Sequence, residues 1–272
     1  QLSWIRGRHH LKLGFDYRRL QQNAFRDIQA RGLINFVGYT GNALAELLQG
    51  LPAVTGIARV DNPQYLRGSS ASAFVNDTWR ATSRLTLTLG LRYEYNTPPY
   101  DRYNRANLYD VATGGLVAAG SGSMPRAGYT SDRNNFAPRL GLAWTLGSRG
   151  ATVVRAGYGF YYDQNPLAPG EGLYFNAPYY DFRLYVTSAQ FPLLLHNPYP
   201  ANYPFPSPPS SLSFQRDLRT GYLQHWNLGI QHQLGSNRVI EIAYAGSKGT
   251  KLLSARDINQ PDPSRSEERR VG

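Results

Sequence analysis

The chain has few residue groups that could carry out covalent chemistry. Among its five histidines, His9 and His10 are adjacent, and His225 and His232 are separated by an odd number of positions. Within β-strands, the two members of each pair would therefore point to opposite faces. A shared metal ion is not expected from this spacing, and the histidines are expected to lie at interfaces or in loops.

Two glycine-containing segments resemble nucleotide-binding motifs only in part. Residues 246–251, G-S-K-G-T-K, lack the spacing of a phosphate-binding loop and a strand-to-helix context. Residues 157–159, G-Y-G, are not followed by a predicted helix. Serine, histidine and aspartate all occur, but without a nucleophile elbow. We therefore expect no enzymatic activity, no catalytic residue and no cofactor or metal site.

Four charged residues are better placed for non-covalent contacts: Arg92, Glu94, Arg139 and Arg155. Each lies on the polar side of a segment in which polar and apolar residues alternate. A charge facing lipid near the middle of a membrane costs about 2–4 kcal/mol in such a strand. If these segments cross a membrane, the four side chains should therefore face the interior.

The segments that carry these charges alternate with period two, which is typical of strands with one apolar face. The clearest is 85–95, where leucine and tyrosine at odd positions alternate with threonine, glycine, arginine and glutamate. Its length of about eleven residues suits a tilted transmembrane strand. Further strands are predicted at 11–17, 70–79, 138–146, 152–162, 226–234 and 239–245, with no faces assigned for 70–79.

The connections between these strands alternate in length. Short turns are predicted at 6–8, 82–84, 147–150 and 235–237, and long connections near 24–66, 97–134 and 163–222. This alternation is typical of an outer-membrane barrel with short periplasmic turns and long external loops. The predicted fold is an all-β, antiparallel up-and-down transmembrane β-barrel, incomplete at about eight strands, with long extracellular loops. A short helix over 43–49, between Asn42 and Gly50, is predicted to pack inside the first loop.

Aromatic residues support the same interpretation. Those near the short turns and those toward the long loops would form two girdles at the two membrane interfaces. The alternative is that aromatic residues are simply common in strands. The candidate interface residues are Trp4, Trp79, Trp144, Tyr93, Tyr95, Tyr162, Trp226 and Tyr244.

Composition limits the other protein classes. The 272 residues include 20 Tyr, 27 Gly, 18 Pro and no Cys, so the chain has no disulfide and no thiolate metal site. No apolar run approaches the roughly 18 residues of a membrane helix. The net charge of +11 would suit a nucleic-acid partner, but the arginines are dispersed rather than clustered. Contact with anionic lipid or polysaccharide explains the charge as well, and no nucleic-acid partner is expected.

Several segments, in order, resemble the barrel of TonB-dependent receptors, particularly the Oar-like members that carry a carboxypeptidase-regulatory-like domain. The resemblance covers nearly the whole chain to about residue 263. It rests on order and spacing, since no single motif is highly specific. The segments are 73–80 (A-F-V-N-D-T-W-R), 85–94 (L-T-L-T-L-G-L-R-Y-E), 135–141 (N-F-A-P-R-L-G), 155–162 (R-A-G-Y-G-F-Y-Y), 226–231 (W-N-L-G-I-Q), 243–249 (A-Y-A-G-S-K-G) and 259–261 (N-Q-P).

The resemblance implies a barrel of about 22 strands, a plug inside it, and an N-terminal segment that contacts the energy-transducing TonB protein. Residues 1–263 would then be a partial outer-membrane barrel without signal peptide, plug or terminal strand. Residues 264–272 are expected to be a non-native tail, because 265–272 resemble a translated sequencing adapter. Without the three Arg and two Glu of that segment, the net charge changes only from +11 to +10.

The predicted function is cargo uptake across the outer membrane of a Gram-negative bacterium, with lipid, the TonB complex and an unidentified cargo as partners. The four inner charges would line the wall and pair with the plug, or contact cargo. Loop tyrosines would stack on carbohydrate or peptide, or pack the loops together. They are Tyr100, Tyr103, Tyr179, Tyr180 and Tyr203. Surface adhesion, a structural barrel and a passive channel remain alternatives, and a soluble extracellular β-protein is the weakest.

Overall fold

The computed structural model describes residues 1–61, 63–147, 150–163, 172–204 and 211–258. In chain order its elements are β1 (Leu2–Arg6), β2 (His9–Phe25), β3 (Leu33–Asn35), α1 (Ala43–Gln49), β4 (Val54–Val60), β5 (Pro63–Arg80), β6 (Leu85–Asn96), β7 (Tyr100–Asp101), β8 (Asn107–Asp110), β9 (Gly115–Ala118), β10 (Phe136–Leu146), β11 (Thr152–Tyr162), the 3-10 helix η1 (Gly172–Phe175), β12 (Tyr180–Val186), β13 (Tyr222–Leu234) and β14 (Arg238–Thr250).

Eight strands form one antiparallel wall in the order β1-β2-β5-β6-β10-β11-β13-β14, and β7 pairs beside β5. Each wall strand neighbours the previous and the next wall strand along the chain, so the topology is up-and-down. Within the described residues, β1 and β14 each pair on one side only, and the sheet is open. This confirms the predicted all-β architecture of an incomplete up-and-down barrel.

The strand boundaries differ from the sequence-based ones mainly at the long-loop ends. β11 has the predicted bounds, and β6 is one residue longer. β2 and β5 run for 17 and 18 residues, well beyond the predicted 11–17 and 70–79, and pair along their whole length. Their extensions lack strict alternation, because strand pairing continues there without an apolar face turned to lipid.

Cross-strand register assigns the two faces of the wall, since directly opposed residues share a face. Leu140 lies opposite Leu89 on one side and Tyr158 on the other, so these apolar residues form one face. The same register places Val75 and Trp79 of β5 on that face. Large apolar side chains of this outward face remain solvent-exposed, including those of Leu2, Trp4, Leu13, Phe15, Leu91, Leu140, Trp144, Leu228, Ile242 and Tyr244.

The buried apolar residues lie almost entirely in the long connections and the loop ends of the strands. We call the described parts of 26–61, 97–135 and 163–221 the loop cap. Ala106, Leu108, Ala119 and Met124 form a buried cluster there, against which Val117 and Phe214 pack. Sheets β12-β4-β3 and β8-β9 also lie in the cap, and β12 joins the third connection to the first. The long loops therefore form a folded layer.

The short helix occurs with its predicted bounds. The Asn42 side chain accepts hydrogen bonds from the backbone N–H groups of Leu44 and Ala45, and Gly50 ends the helix at φ 67°. The helix packs in the loop through Glu46 rather than through its apolar side. Glu46 is buried, whereas the side chains of Leu44, Leu47 and Leu48 are exposed. Glu46 is thus on the side of the helix that faces the cap.

Among the described residues, no helix is long and apolar enough to cross a membrane.

The two faces of the wall predict opposite responses to an added charge. Leu140→Arg puts a cation on the outward face among Leu89 and Tyr158, and it should lower the free energy of unfolding in lipid vesicles by about 2–4 kcal/mol. Thr88, which opposes Gly141 in the next cross-strand pair, lies on the inward face. Thr88→Arg should therefore lower the free energy of unfolding far less than Leu140→Arg does. Denaturant titration of both variants tests this assignment, and equal losses would contradict it.

Candidate functional site: the inner wall and the loop cap

The inward face of the wall carries the four charged residues predicted from the sequence. Arg92 Nε donates to Glu94 Oε1 at 2.6 Å, and Arg92 Nη2 donates to Ser72 Oγ at 2.7 Å. Glu94 is largely buried, with 12% of its side chain exposed. Arg92 and Glu94 therefore neutralise each other within the wall near the loop cap.

Arg139 lies deeper in the wall, between glycines of both neighbouring strands. Its cross-strand partners are Gly90 of β6 and Gly159 of β11. A Cβ at Gly159 would lie 3.4 Å from Arg139 Cγ, so the side chain follows the surface of the wall. The guanidinium lies 4.7 Å from the ring centroid of Tyr161, and Arg139 Nε is buried without a hydrogen-bond partner. A cation–π contact thus replaces an ion pair here.

Arg155 is exposed on the same face and closer to the short turns. Its Nη1 donates to Gln231 Oε1 at 2.6 Å, and its cross-strand partner on β13 is Gly229. Unlike Arg92, it forms no ion pair within the described residues, so its charge is not cancelled by the wall itself. Arg155 and the Arg92–Glu94 pair share the inward face but lie two strands apart, on β11 and β6, and Arg155 is nearer the short turns.

The predicted interface aromatics all lie on the outward face by register. Tyr93 donates to the Arg133 backbone oxygen, and Tyr95 and Ser131 share a hydrogen bond, so both anchor the loop ends. Tyr244 lies at the centre of β14 rather than toward its long-loop end, because that strand continues to Thr250. Their role at the membrane interfaces stays a prediction.

The loop tyrosines contact other parts of the cap. Tyr100 lies under the Arg126 guanidinium at 4.2 Å, and Tyr179 lies under Arg105 at 5.4 Å. The other three make aromatic contacts: Tyr103 with Tyr65, Tyr180 with Phe175, and Tyr203 with Tyr185. These contacts favour the interpretation that the tyrosines pack the loops together. Of the five, Tyr103 alone is more than half exposed, and the other four are partly buried.

A buried carboxylate that the sequence analysis did not single out organises the cap. Asp101 is 2% exposed and accepts hydrogen bonds from the phenol of Tyr174 at 2.5 Å and from backbone N–H groups of residues 65, 103 and 105 at 2.7 to 3.1 Å. Burial, followed by the bond to Asp101, raises the pKa of Tyr174, so its phenol stays protonated and donates. The sequence does contain a signal for this role. Asp101 follows Pro98-Pro99 in a predicted loop, and an aspartate in a turn often accepts hydrogen bonds from the N–H groups of the residues that follow the aspartate.

Two further buried polar residues join separate connections. Asn176 is fully buried. Its Nδ2 donates hydrogen bonds to the backbone oxygens of Asn107 and Leu212, and its Oδ1 accepts one from the Leu212 N–H at 2.7 Å. Asp132 accepts from the Thr220 N–H at 3.1 Å and from Arg219 Nη1 at 3.2 Å. The second and third connections are therefore held together by hydrogen bonds to two buried side chains, Asn176 and Asp132.

Glu46 holds the segment before α1. Its two carboxylate oxygens accept from the Gly38 N–H at 3.0 Å and the Thr40 N–H at 2.7 Å. The Thr40 backbone bond is the main cause that holds the pKa of Glu46 below its ordinary value. The exposed leucines of α1 follow from this arrangement, since Glu46 and the leucines occupy different sides of the helix.

His9 and His232 each contact a side chain of the neighbouring strand. His9 lies on the outward face, where Nδ1 is 2.7 Å from Asp77 Oδ2 and the ring stacks on Trp79 with centroids 5.6 Å apart. His232 Nδ1 lies 2.8 Å from Thr152 Oγ1. Within the part of the chain that is described, no three His, Asp or Glu side chains are grouped to hold a metal ion.

An open antiparallel wall with an apolar outward face, a charged inward face and long loops on one side defines a transmembrane β-barrel protein. A family model described as an outer membrane beta barrel domain matches residues 1–271. The chain belongs to that family, and it is a protein of the outer membrane of Gram-negative bacteria. No curated protein matches the chain.

Three solved structures are similar in fold at low sequence identity. The outer membrane transporter YddB from Escherichia coli is 17% identical with a TM-score of 0.44, and the match covers 90% of this chain and 23% of that one. The copper transporter OprC is 13% identical, with a TM-score of 0.38 and coverages of 85% and 26%. The CymD monoaromatic hydrocarbon channel is 12% identical, with a TM-score of 0.29 and coverages of 90% and 56%. The chain spans only part of each structure.

Removal of the Asp101 charge should open the cap without unfolding the wall. In Asp101→Asn, an amide NH₂ replaces one carboxylate oxygen opposite several N–H and O–H donors, and lost buried bonds of this kind cost about 1–3 kcal/mol each. Hydrogen exchange and limited proteolysis should increase at 100–105 and 172–176. Asp181→Asn, at an exposed site in β12, is the control. Unchanged protection in Asp101→Asn would contradict the assigned role.

The lowered pKa of Glu46 predicts an acid-dependent opening of the segment before α1. Its carboxylate stabilises the fold fully above the ordinary glutamate pKa of 4.5, and this contribution is lost as pH falls through the lower folded value. The amide proton of Thr40, followed by NMR in detergent micelles, should therefore titrate with a midpoint below 4.5. Glu46→Gln should abolish that titration. A midpoint at or above the ordinary value would contradict the prediction.

Proposed function

We propose that this chain is a barrel segment of a TonB-dependent outer-membrane receptor that takes up cargo. The observation that carries the proposal is a charged inner wall joined to a folded loop cap. Arg139 and Arg155 lack ion-pair partners within the described wall, as expected of residues that meet a separate occupant of the interior. The resemblance of residues 73–80, 85–94, 135–141 and 155–162 to the barrels of such receptors supports the specific class.

In the proposed receptor, the inner charges contact the plug. Arg139 and Arg155 would meet carboxylates or backbone oxygens of that domain, whereas Arg92 and Glu94 already satisfy each other. The cap would contribute to cargo binding through its exposed surface, including Tyr103. Its buried core supports a rigid binding surface rather than a set of independent loops.

Surface adhesion is the second candidate, and one observation favours it. The exposed side of α1 presents Leu44, Leu47 and Leu48 next to the exposed Val37 and Tyr39. Exposed apolar side chains that are close together in the chain are a common feature of protein interaction sites. An adhesive barrel would bind its partner there, and nothing would enter the cell.

Uptake by cells that express the full-length gene separates these functions. The probes are fluorescent mixtures of peptides and of oligosaccharides. A TonB-dependent receptor should internalise one of them, with a loss of at least about tenfold when TonB is deleted or the proton gradient is collapsed, while surface binding persists. Energy-independent entry would instead indicate a passive channel. Surface binding with no entry in any strain would indicate adhesion and overturn the proposal.

A further inference from the structure

The inward face contains a shallow depression at β11, β13 and β14, in which Arg155 is joined by polar residues of β13 and β14 that have no role in the proposed receptor. Its volume is about 210 Å³. Arg155, Asn227, Gln231 and Glu241 surround it, and its floor is made of the small residues Gly229, Ala243 and Ala245. Register places these seven residues on the inward face, and Leu228 and Tyr244, whose side chains face outward, complete the lining.

Small residues create the depression. Gly229 lies between Arg155 on β11 and Ala243 on β14, so the centre of the site has no large side chain. A Cβ built at Gly229 would have only Ala243 Cβ nearby, at 3.9 Å. The space above the floor is therefore open to the barrel interior. Polar side chains flank this floor. Asn227 lies two residues from Gly229 on the side of the cap, and Gln231 and its cross-strand partner Glu241 lie one row away on the side of the short turns.

The two charges of the site are not joined to each other. Arg155 donates one N–H to Gln231, which leaves the rest of its guanidinium for a ligand. Among the described residues, the exposed Glu241 carboxylate has no hydrogen-bond or ion-pair partner. The two residues lie two strands apart, which is about 10 Å at the usual strand spacing. A ligand that bridges them must carry a negative group and a positive group a few ångströms apart.

We propose that this depression binds a small zwitterion of amino-acid to dipeptide size. The carboxylate would accept two hydrogen bonds from the Arg155 guanidinium, and the ammonium group would donate to Glu241. Asn227 and Gln231 would bond the polar groups between the two ends. A simple anion would be repelled by Glu241 and a simple cation by Arg155, so the site favours molecules that carry both charges.

Equilibrium binding to the chain refolded in detergent micelles tests this proposal, with alanyl-alanine as the probe. Its N-acetylated form retains only the negative charge, and its C-terminal amide retains only the positive charge. Isothermal titration calorimetry should show both derivatives binding at least about tenfold more weakly than the zwitterion, the loss for one charge-assisted contact. No binding of the zwitterion, or equal binding of all three, would overturn the proposal.

Three variants locate the site. Arg155→Gln and Glu241→Gln should each weaken zwitterion binding about tenfold, whereas Arg238→Gln, on the outward face of β14, and Asp181→Asn, in the cap, should not change it. Gly229→Leu keeps both charges but fills the floor and should abolish binding. Circular dichroism checks that each variant retains its β-structure. Binding unaffected by Gly229→Leu would overturn the assignment.

This inference goes beyond the proposed receptor function and can fail separately. The binding measurement needs no plug, no TonB and no energised membrane. If the chain binds the zwitterion but cells show no TonB-dependent uptake, only the receptor function is rejected. If cells show TonB-dependent uptake but the chain does not bind the zwitterion, only this site is rejected.

Discussion

The wall depends on one constraint: backbone N–H and C=O groups that cross a lipid bilayer must be paired with each other, because lipid offers no hydrogen-bond partner. The continuous ladders from β1 to β14 satisfy it for every strand with two neighbours. Pairing also aligns residues such as Leu89, Leu140 and Tyr158 across three strands. The apolar outward face, the polar inward face and the side on which the loops emerge all follow from that alignment.

The cap is stabilised differently, because it lies in water and needs a core of its own. It buries Leu108 and Met124 in an apolar cluster, but its long connections contain little regular structure to satisfy their backbone. Buried polar side chains supply the missing partners: Asp101 and Asn176 each bond several backbone groups from distant segments. Each additional partner reduces the cost of burying these side chains. A carboxylate such as that of Asp101 can therefore lie in the interior of the cap because it accepts several hydrogen bonds there.

The wall could be predicted from the sequence because its signal is local. In 85–95 and 152–162 every second residue faces lipid, and both segments appear as strands with almost the predicted bounds. The cap could not be predicted in this way. β4 and β12 are far apart in sequence and pair only through tertiary contacts, and the role of Asp101 depends on Tyr174 meeting it from another connection. Which side of α1 is buried also could not be predicted, because it depends on the Gly38 and Thr40 N–H groups of the preceding segment meeting the Glu46 carboxylate.

The inner wall combines charge with small side chains, and the combination keeps the interior open. Arg139 lies between Gly90 and Gly159, and Arg155 lies between Ala143 and Gly229. A long side chain beside a glycine can lie along the sheet, as Arg139 does toward Tyr161, instead of standing across the lumen. Cations on the wall then attract occupants of the interior without blocking their path. Because a larger neighbour would push each guanidinium inward, the glycines and the arginines act together in shaping this surface.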